Sequence, residues 1–221
     1  MESNRAAEHL QTIRTLMERT ALYRRALAPI MVFVGVVGVA AAFAGWELCI
    51  SRAVSFIGYW YVTGALAVGG ALLLVRRQAW QQAEPFWSPP TRRVAQAMLP
   101  PLVAGFILGL LVAVADVRAS EVPPPTGAVN PGNRVAGVFL PLAWVILYGC
   151  ALHAAGFFMS RGIRLFGWVF ILGGCGGFFV APSSAADLDV LSYAVMGGFF
   201  GALHVAYGVY LYFTEPCGNE T

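Results

Sequence analysis

Two of the three histidines in this chain lie in almost the same sequence context, Ala-Leu-His-x-Ala. His153 belongs to the segment YGCALHAAGFF, and His204 belongs to the segment GGFFGALHVAYGVYLYF. Imidazole nitrogens bind transition metals and serve as axial ligands of haem iron. Histidines on two neighbouring helices would therefore suit a b-type haem, or would supply two ligands of a metal site.

The same residues also suit a structural role, because each histidine lies on a stripe of glycines. The stripes consist of Gly149 and Gly156 beside His153, and of Gly197, Gly201 and Gly208 beside His204. Such glycines leave room for a flat macrocycle, but they equally let two helix backbones approach while a histidine hydrogen-bonds across the interface. Because no third ligand and no redox motif accompany the pair, helix packing is the favoured interpretation. Contact with a small ligand is a further alternative.

No other pattern of catalytic or ligating residues stands out. The chain lacks H-E-x-x-H and G-x-S-x-G motifs and a phosphate-binding glycine loop. Its four cysteines show no C-x-x-C spacing, so neither a disulfide framework nor a thiolate metal site is indicated. Asp116 is expected at the outer end of the third span, within reach of water, and the other acidic residues lie in loops, tails or near span ends. An enzyme or an ion-coupled transporter is therefore not the favoured class.

The elements that must position the histidines are membrane-spanning helices. Of 221 residues, 58% are hydrophobic and 11% are charged, so polar side chains cannot cover a water-facing surface. Six apolar runs are long enough to cross a bilayer. They are Pro29–Trp46, Val54–Val75, Leu99–Ala115, Val135–Phe158, Leu165–Ala181 and Val190–Phe213. The sequence predicts an all-α integral membrane bundle of six transmembrane helices.

The six spans alternate short and long, and this pattern indicates three hairpins. Spans two, four and six carry TGALAVGG, GCALHAAG and GALHVAYG, which a repeated ancestral hairpin or shared helix-packing chemistry would both explain. On this scheme His153 and His204 differ in membrane depth by only about 6 Å, so one ligand between spans four and six could reach both.

Arginine distribution predicts the orientation. Eleven arginines lie on the side of the N-terminus and three on the other, which places both termini in the cytoplasm. The inner set is Arg5, Arg14, Arg19, Arg24, Arg25, Arg76, Arg77, Arg92, Arg93, Arg161 and Arg164; the outer set is Arg52, Arg118 and Arg134. The absence of lysine, together with abundant alanine and glycine, is typical of GC-rich genomes. A bacterial inner membrane is the expected location.

Three segments predicted to be cytoplasmic flank or interrupt the spans. Residues 1–28 are predicted to form an amphipathic helix that lies on the inner leaflet or docks a cytoplasmic partner, residues 29–213 the transmembrane domain, and residues 214–221 a cytoplasmic tail. Between spans two and three, Trp80, Phe86 and Trp87 lie between two arginine pairs, as in a membrane-interface belt. Thr91 is expected to cap a helix that starts at Arg92, because Pro89 and Pro90 disfavour an earlier start.

The order of these features resembles a family of small, uncharacterised bacterial membrane proteins with six helices. The segments that carry the resemblance are IRTLMERTALYRRALAP, PFWSPPTRR followed by LPPLVAG, and GGFFGALHVAYGVYL. The resemblance implies an accessory or regulatory membrane component, and it implies no activity, cofactor or catalytic residue.

Three functions remain open from the sequence. The first is a non-enzymatic accessory, interaction or regulatory protein with the lipid bilayer and another copy or membrane protein as partners, without nucleic acid. The second is a small-solute transporter or channel, suggested by the hairpin repeat. The third is a redox protein that holds b-type haem or a metal through His153 and His204.

Overall fold

The computed structural model describes residues 27–50, 52–81, 89–119, 135–180 and 185–214. These residues form helices and short connections, and no strand occurs among them. Six of the helices are long and apolar enough to cross a membrane, which confirms the predicted all-α membrane bundle. Most of the predicted N-terminal amphipathic helix and of the C-terminal tail lies outside the described residues.

The helices are numbered here in chain order. They are α1 (Leu27–Glu47), α2 (Ala53–Gln81), α3 (Pro89–Ala119), α4 (Leu140–Ala155 after a π-helical turn at Val135–Phe139), α5 (Arg161–Val180) and α6 (Ala185–Val195 and Leu203–Phe213, joined by a π-helical turn at Met196–Ala202). The apolar stretch of α6, Val190–Phe213, coincides with the predicted sixth span. Continuous hydrophobicity over a bilayer thickness is sufficient to place such a segment.

Two predicted helix limits are wrong for local reasons. The third helix begins at Pro89 and not at Arg92, because a proline in the first turn has no amide hydrogen bond to lose. Consequently Pro100 and Pro101 lie inside α3 rather than near its start. The fourth helix ends at Ala155, three residues before Phe158, where Gly156 occupies the C-cap.

Helices α1 and α6 pack antiparallel with their backbones in close contact. A Cβ atom built on Gly35 would lie 2.5 Å from the amide nitrogen of Val205, and one built on Gly201 would lie 2.7 Å from that of Val39. The first and last spans therefore meet and close the bundle. This contact requires glycine, since a methyl group at either position would overlap a backbone atom.

The centre of the bundle is α4. Half of its span is buried, against 11% in α3. It packs along α5 so closely that a Cβ atom on Gly149 would lie 2.8 Å from the carbonyl oxygen of Gly167. Fully buried side chains such as Val145 and Phe170 fill the space beside this crossing. The same core includes residues of α6, so α4, α5 and α6 together enclose the region of His204.

Candidate functional site

His204 lies on α6, two residues after the π-helical turn Met196–Ala202. In that turn the Leu203 amide donates to the Gly198 carbonyl, five residues earlier, rather than to Phe199 as an α-helix would require. The Phe199 carbonyl is thus relieved of its ordinary α-helical donor at the point where the His204 side chain can reach it. The π turn therefore supplies an acceptor for the imidazole.

Both nitrogens of His204 are hydrogen-bonded to the protein. Nδ1 lies 3.0 Å from the Phe199 carbonyl oxygen, and Nε2 lies 2.9 Å from the Tyr148 hydroxyl of α4. A carbonyl oxygen only accepts, so Nδ1 carries the proton, and the lone pair of neutral Nε2 accepts from the Tyr148 hydroxyl. The side chain is fully buried, so this polar pair joins α4 to α6 inside the bundle.

Aromatic rings enclose the remaining surface of this imidazole. Phe166 and Phe170 of α5 contact it edge-on, with ring centroids 5.3 and 5.4 Å away. Phe200 lies parallel to it at 6.5 Å. Among the described residues, no carboxylate or cationic side chain contacts the imidazole. The surroundings therefore favour the neutral ring, whose hydrogen bonds are already satisfied.

His153 lies near the C-terminal end of α4 in a different environment. Its Nδ1 atom is buried without a hydrogen-bond partner. The ring makes T-shaped contacts with Phe157, at 5.3 Å, and with Trp168 of α5, at 5.4 Å. Trp168 is two residues from Phe166, about 200° around α5, so the two histidines lie against opposite sides of that helix. The structure does not bring the two imidazoles together.

The glycines predicted to pack beside the histidines all lie close to other chain segments. Gly149 faces α5, and Gly156 faces the side chain and backbone of Arg164. Gly201 and Gly208 face α1, while a Cβ atom on Gly197 would lie 2.7 Å from that of Ala42. These contacts are within the chain, and the glycines on the α6 stripe face α1.

The hydrogen bonds of His204 determine whether its ring nitrogens are available to bind haem iron or another metal. Coordination needs the Nε2 lone pair, and that lone pair accepts the Tyr148 hydroxyl proton. Within the described ranges no group of three or more His, Cys, Asp and Glu side chains could hold a metal ion. The arrangement around His204 can support hydrogen bonding between helices, and it offers no nucleophile paired with a base and an acidic group.

The partners of His204 and the burial of Asp116 were not predicted from the sequence. Tyr148 opens the YGCALHAAGFF segment, and its depth inside a span is a signal, because a buried tyrosine hydroxyl needs a hydrogen-bond partner. The Phe199 carbonyl had no comparable signal, since a π turn is not readable from the residues. Asp116 was expected in reach of water, but only 6% of it is exposed, so that expectation is wrong.

A shallow groove lies between α1 and α6. Its lining is almost wholly apolar and includes Val39, Phe43, Trp46 and Tyr193. An apolar groove on the outer surface of a spanning helix pair suits lipid chains rather than a polar solute.

Comparison with known proteins adds no relative: no protein family, no curated protein and no solved structure matches this chain. The part of the family resemblance that the structure supports is the six-helix, multi-pass membrane architecture.

Proposed function

We propose that this chain is a non-enzymatic membrane protein that acts through contacts with other membrane components, in an accessory, interaction or regulatory role. The observation that carries the proposal is the closed interior around His204. The His204 imidazole, which the sequence offers as a candidate ligand, is fully buried and has both nitrogens bonded within the chain. Because the hydrogen bonds of His204 are satisfied within the chain, we expect the protein to interact through the outer surface of the bundle.

We further propose a bacterial inner-membrane location with both termini in the cytoplasm, as members of the resembled family would have. The antiparallel contacts of successive helices support the second part. They group the arginines that end α2, begin α3 and begin α5 at one end of the bundle. An arginine-rich end is typically cytoplasmic.

Photo-crosslinking in the membrane tests the interaction role. A photoreactive phenylalanine analogue replaces Phe106, which is 54% exposed on α3, or Phe170, which is fully buried. We expect the analogue at position 106 to form a defined adduct, either with a second copy or with one membrane protein. The analogue at position 170 is the matched control and should form no intermolecular adduct.

Two results would count against the proposal. One is the absence of adducts from position 106, and from further exposed positions on α2 and α3, at native expression levels. The other is solute uptake by liposomes that contain only the purified protein, which would favour the transporter alternative.

A further inference from the structure

The outward face of α5 has a graded composition along its length. Arg161, Arg164, Leu165, Trp168 and Leu172 are separated by three, four, seven and eleven residues from the first, which places them on one side of the helix. The two arginines stand at the start of α5, Trp168 lies one turn deeper, and the leucines are exposed along the same side. A phospholipid has the same order of charged and apolar parts.

The guanidinium group of Arg164 is positioned by the end of α4. Its Cζ atom lies 5.3 Å from the centre of the Phe157 ring. The approach depends on Gly156, since a Cβ atom there would collide with the Arg164 side chain. Within the described part of the chain, neither Arg161 nor Arg164 has a carboxylate partner. Arg164 is therefore held beside an aromatic ring, with Arg161 one turn before it on α5, and no described carboxylate neutralises either charge.

His153 completes this cluster from the side of α4. Its ring contacts Phe157, against which the Arg164 guanidinium lies, and Trp168, one turn after Arg164 on α5. Its Nδ1 atom is buried and has no hydrogen-bond partner. An Nε2–H group on this ring gives the cluster a third side chain with a hydrogen-bond donor.

We propose that this cluster binds the phosphate-bearing headgroup of an anionic phospholipid, with Arg161 and Arg164 on the phosphate and His153 on a neighbouring oxygen. Guanidinium groups bind phosphate oxygens through paired hydrogen bonds, and tryptophan favours the membrane interface. The acyl chain runs along Leu165 and Leu172. This apolar extension, together with the unneutralised charge, favours a lipid over a soluble phosphate or an acidic peptide. The inference requires only that the helices cross a bilayer, and it does not depend on the proposed function.

Lipid retention by the full chain tests the site. The protein is reconstituted with equal amounts of phosphatidylglycerol and phosphatidylcholine, extracted in mild detergent, and analysed for bound lipid by native mass spectrometry. We expect phosphatidylglycerol to be enriched by about 10- to 30-fold on the wild-type protein, since each of the two arginines contributes several-fold. The double substitution Arg161→Gln with Arg164→Gln should lower that enrichment by about tenfold, because each surface arginine contributes several-fold to anionic lipid binding. His153→Phe, which keeps the ring contacts, should lower it by about threefold.

The matched control is Arg76→Gln with Arg77→Gln, which removes the same charge from the end of α2. It should change the enrichment by less than twofold. Equal losses in the two double variants would overturn the proposal in favour of general surface charge, and so would wild-type protein without any preference.

If the double glutamine variant of Arg161 and Arg164 fails to fold, a second experiment tests the site on the wild-type protein. The protein is crosslinked to phosphatidylglycerol that carries a photoreactive acyl chain. The adduct should map to the peptide 157–172, and mapping elsewhere overturns the site. Full displacement of the lipid by 10 mM inorganic phosphate would identify a soluble-phosphate site and would also overturn the proposal.

Discussion

His153 and His204 have the same Ala-Leu-His-x-Ala context but different surroundings. His204 is fully buried, and both of its nitrogens are hydrogen-bonded, one to Tyr148 and one to the Phe199 carbonyl. His153 is half-buried near a helix end, and its enclosed Nδ1 has no partner. One histidine belongs to the interior of the bundle, and the other lies at its margin.

The difference arises from the position of each helix rather than from the motif. Helix α6 lies between α1 and α4, and its His204 side chain points toward α4 and α5. His153 lies two residues before the end of α4, where the chain turns into α5. The two histidines therefore share their local sequence, whereas contacts between distant spans determine which imidazole has its hydrogen bonds satisfied. A repeated motif is not by itself a ligand signature.

The largest expected difference in stability between the two histidines comes from replacing each of them by alanine. His204→Ala leaves a cavity and removes the partner of Tyr148, so we expect the free energy of unfolding to fall by about 2–4 kcal/mol. His153→Ala removes ring contacts at the margin and should lower it by about 1 kcal/mol or less. Unfolding in mixed micelles of dodecylmaltoside and sodium dodecyl sulfate measures both variants.

Tyr148→Phe serves as the control for this comparison, because it removes only the hydroxyl group. It should lower the free energy of unfolding by about 1 kcal/mol, the usual magnitude for a hydrogen bond inside a membrane protein. Equal losses for His204→Ala and His153→Ala would show that the two environments are energetically alike, and the comparison would then fail.

The next largest expected loss of stability concerns the backbone contact between Gly167 of α5 and His153 of α4. A Cβ atom on Gly167 would lie 2.6 Å from the His153 amide nitrogen, whereas one on Gly64 of α2 has nothing within 4 Å. Gly167→Ala should therefore push α4 and α5 apart and lower the free energy of unfolding by about 1–3 kcal/mol. Gly64→Ala should leave it unchanged or raise it by up to about 1 kcal/mol, because alanine is the better helix former. Thermal denaturation of the two purified variants gives the sign, and a stable Gly167→Ala protein would contradict the close crossing.

The sequence was sufficient for some of these features and not for others. Hydropathy alone located Val190–Phe213, because a bilayer requires a continuous apolar run. The presence of Pro89 and Pro90 led to the wrong start for α3, since a proline is tolerated when it lies in the first turn of a helix. The pairing of Tyr148 with His204 spans 56 residues and depends on how α4 and α6 pack. No local period or propensity encodes such a contact, so the sequence named the histidine but not its partner.

The smallest expected change in the free energy of unfolding comes from replacing each histidine by phenylalanine. The sign of this change differs between positions 153 and 204, which makes it the sharpest test of the comparison. His153→Phe keeps an aromatic ring against Phe157 and Trp168 while it removes the buried, unpartnered Nδ1 atom. Because an unsatisfied buried polar atom destabilises a fold, this substitution should raise the free energy of unfolding by up to about 1 kcal/mol. The matched His204→Phe variant should lower it, since the Tyr148 hydroxyl loses its acceptor. Both variants are measured in the same micelles, and a loss of stability in His153→Phe would indicate that Nδ1 has a partner in solution.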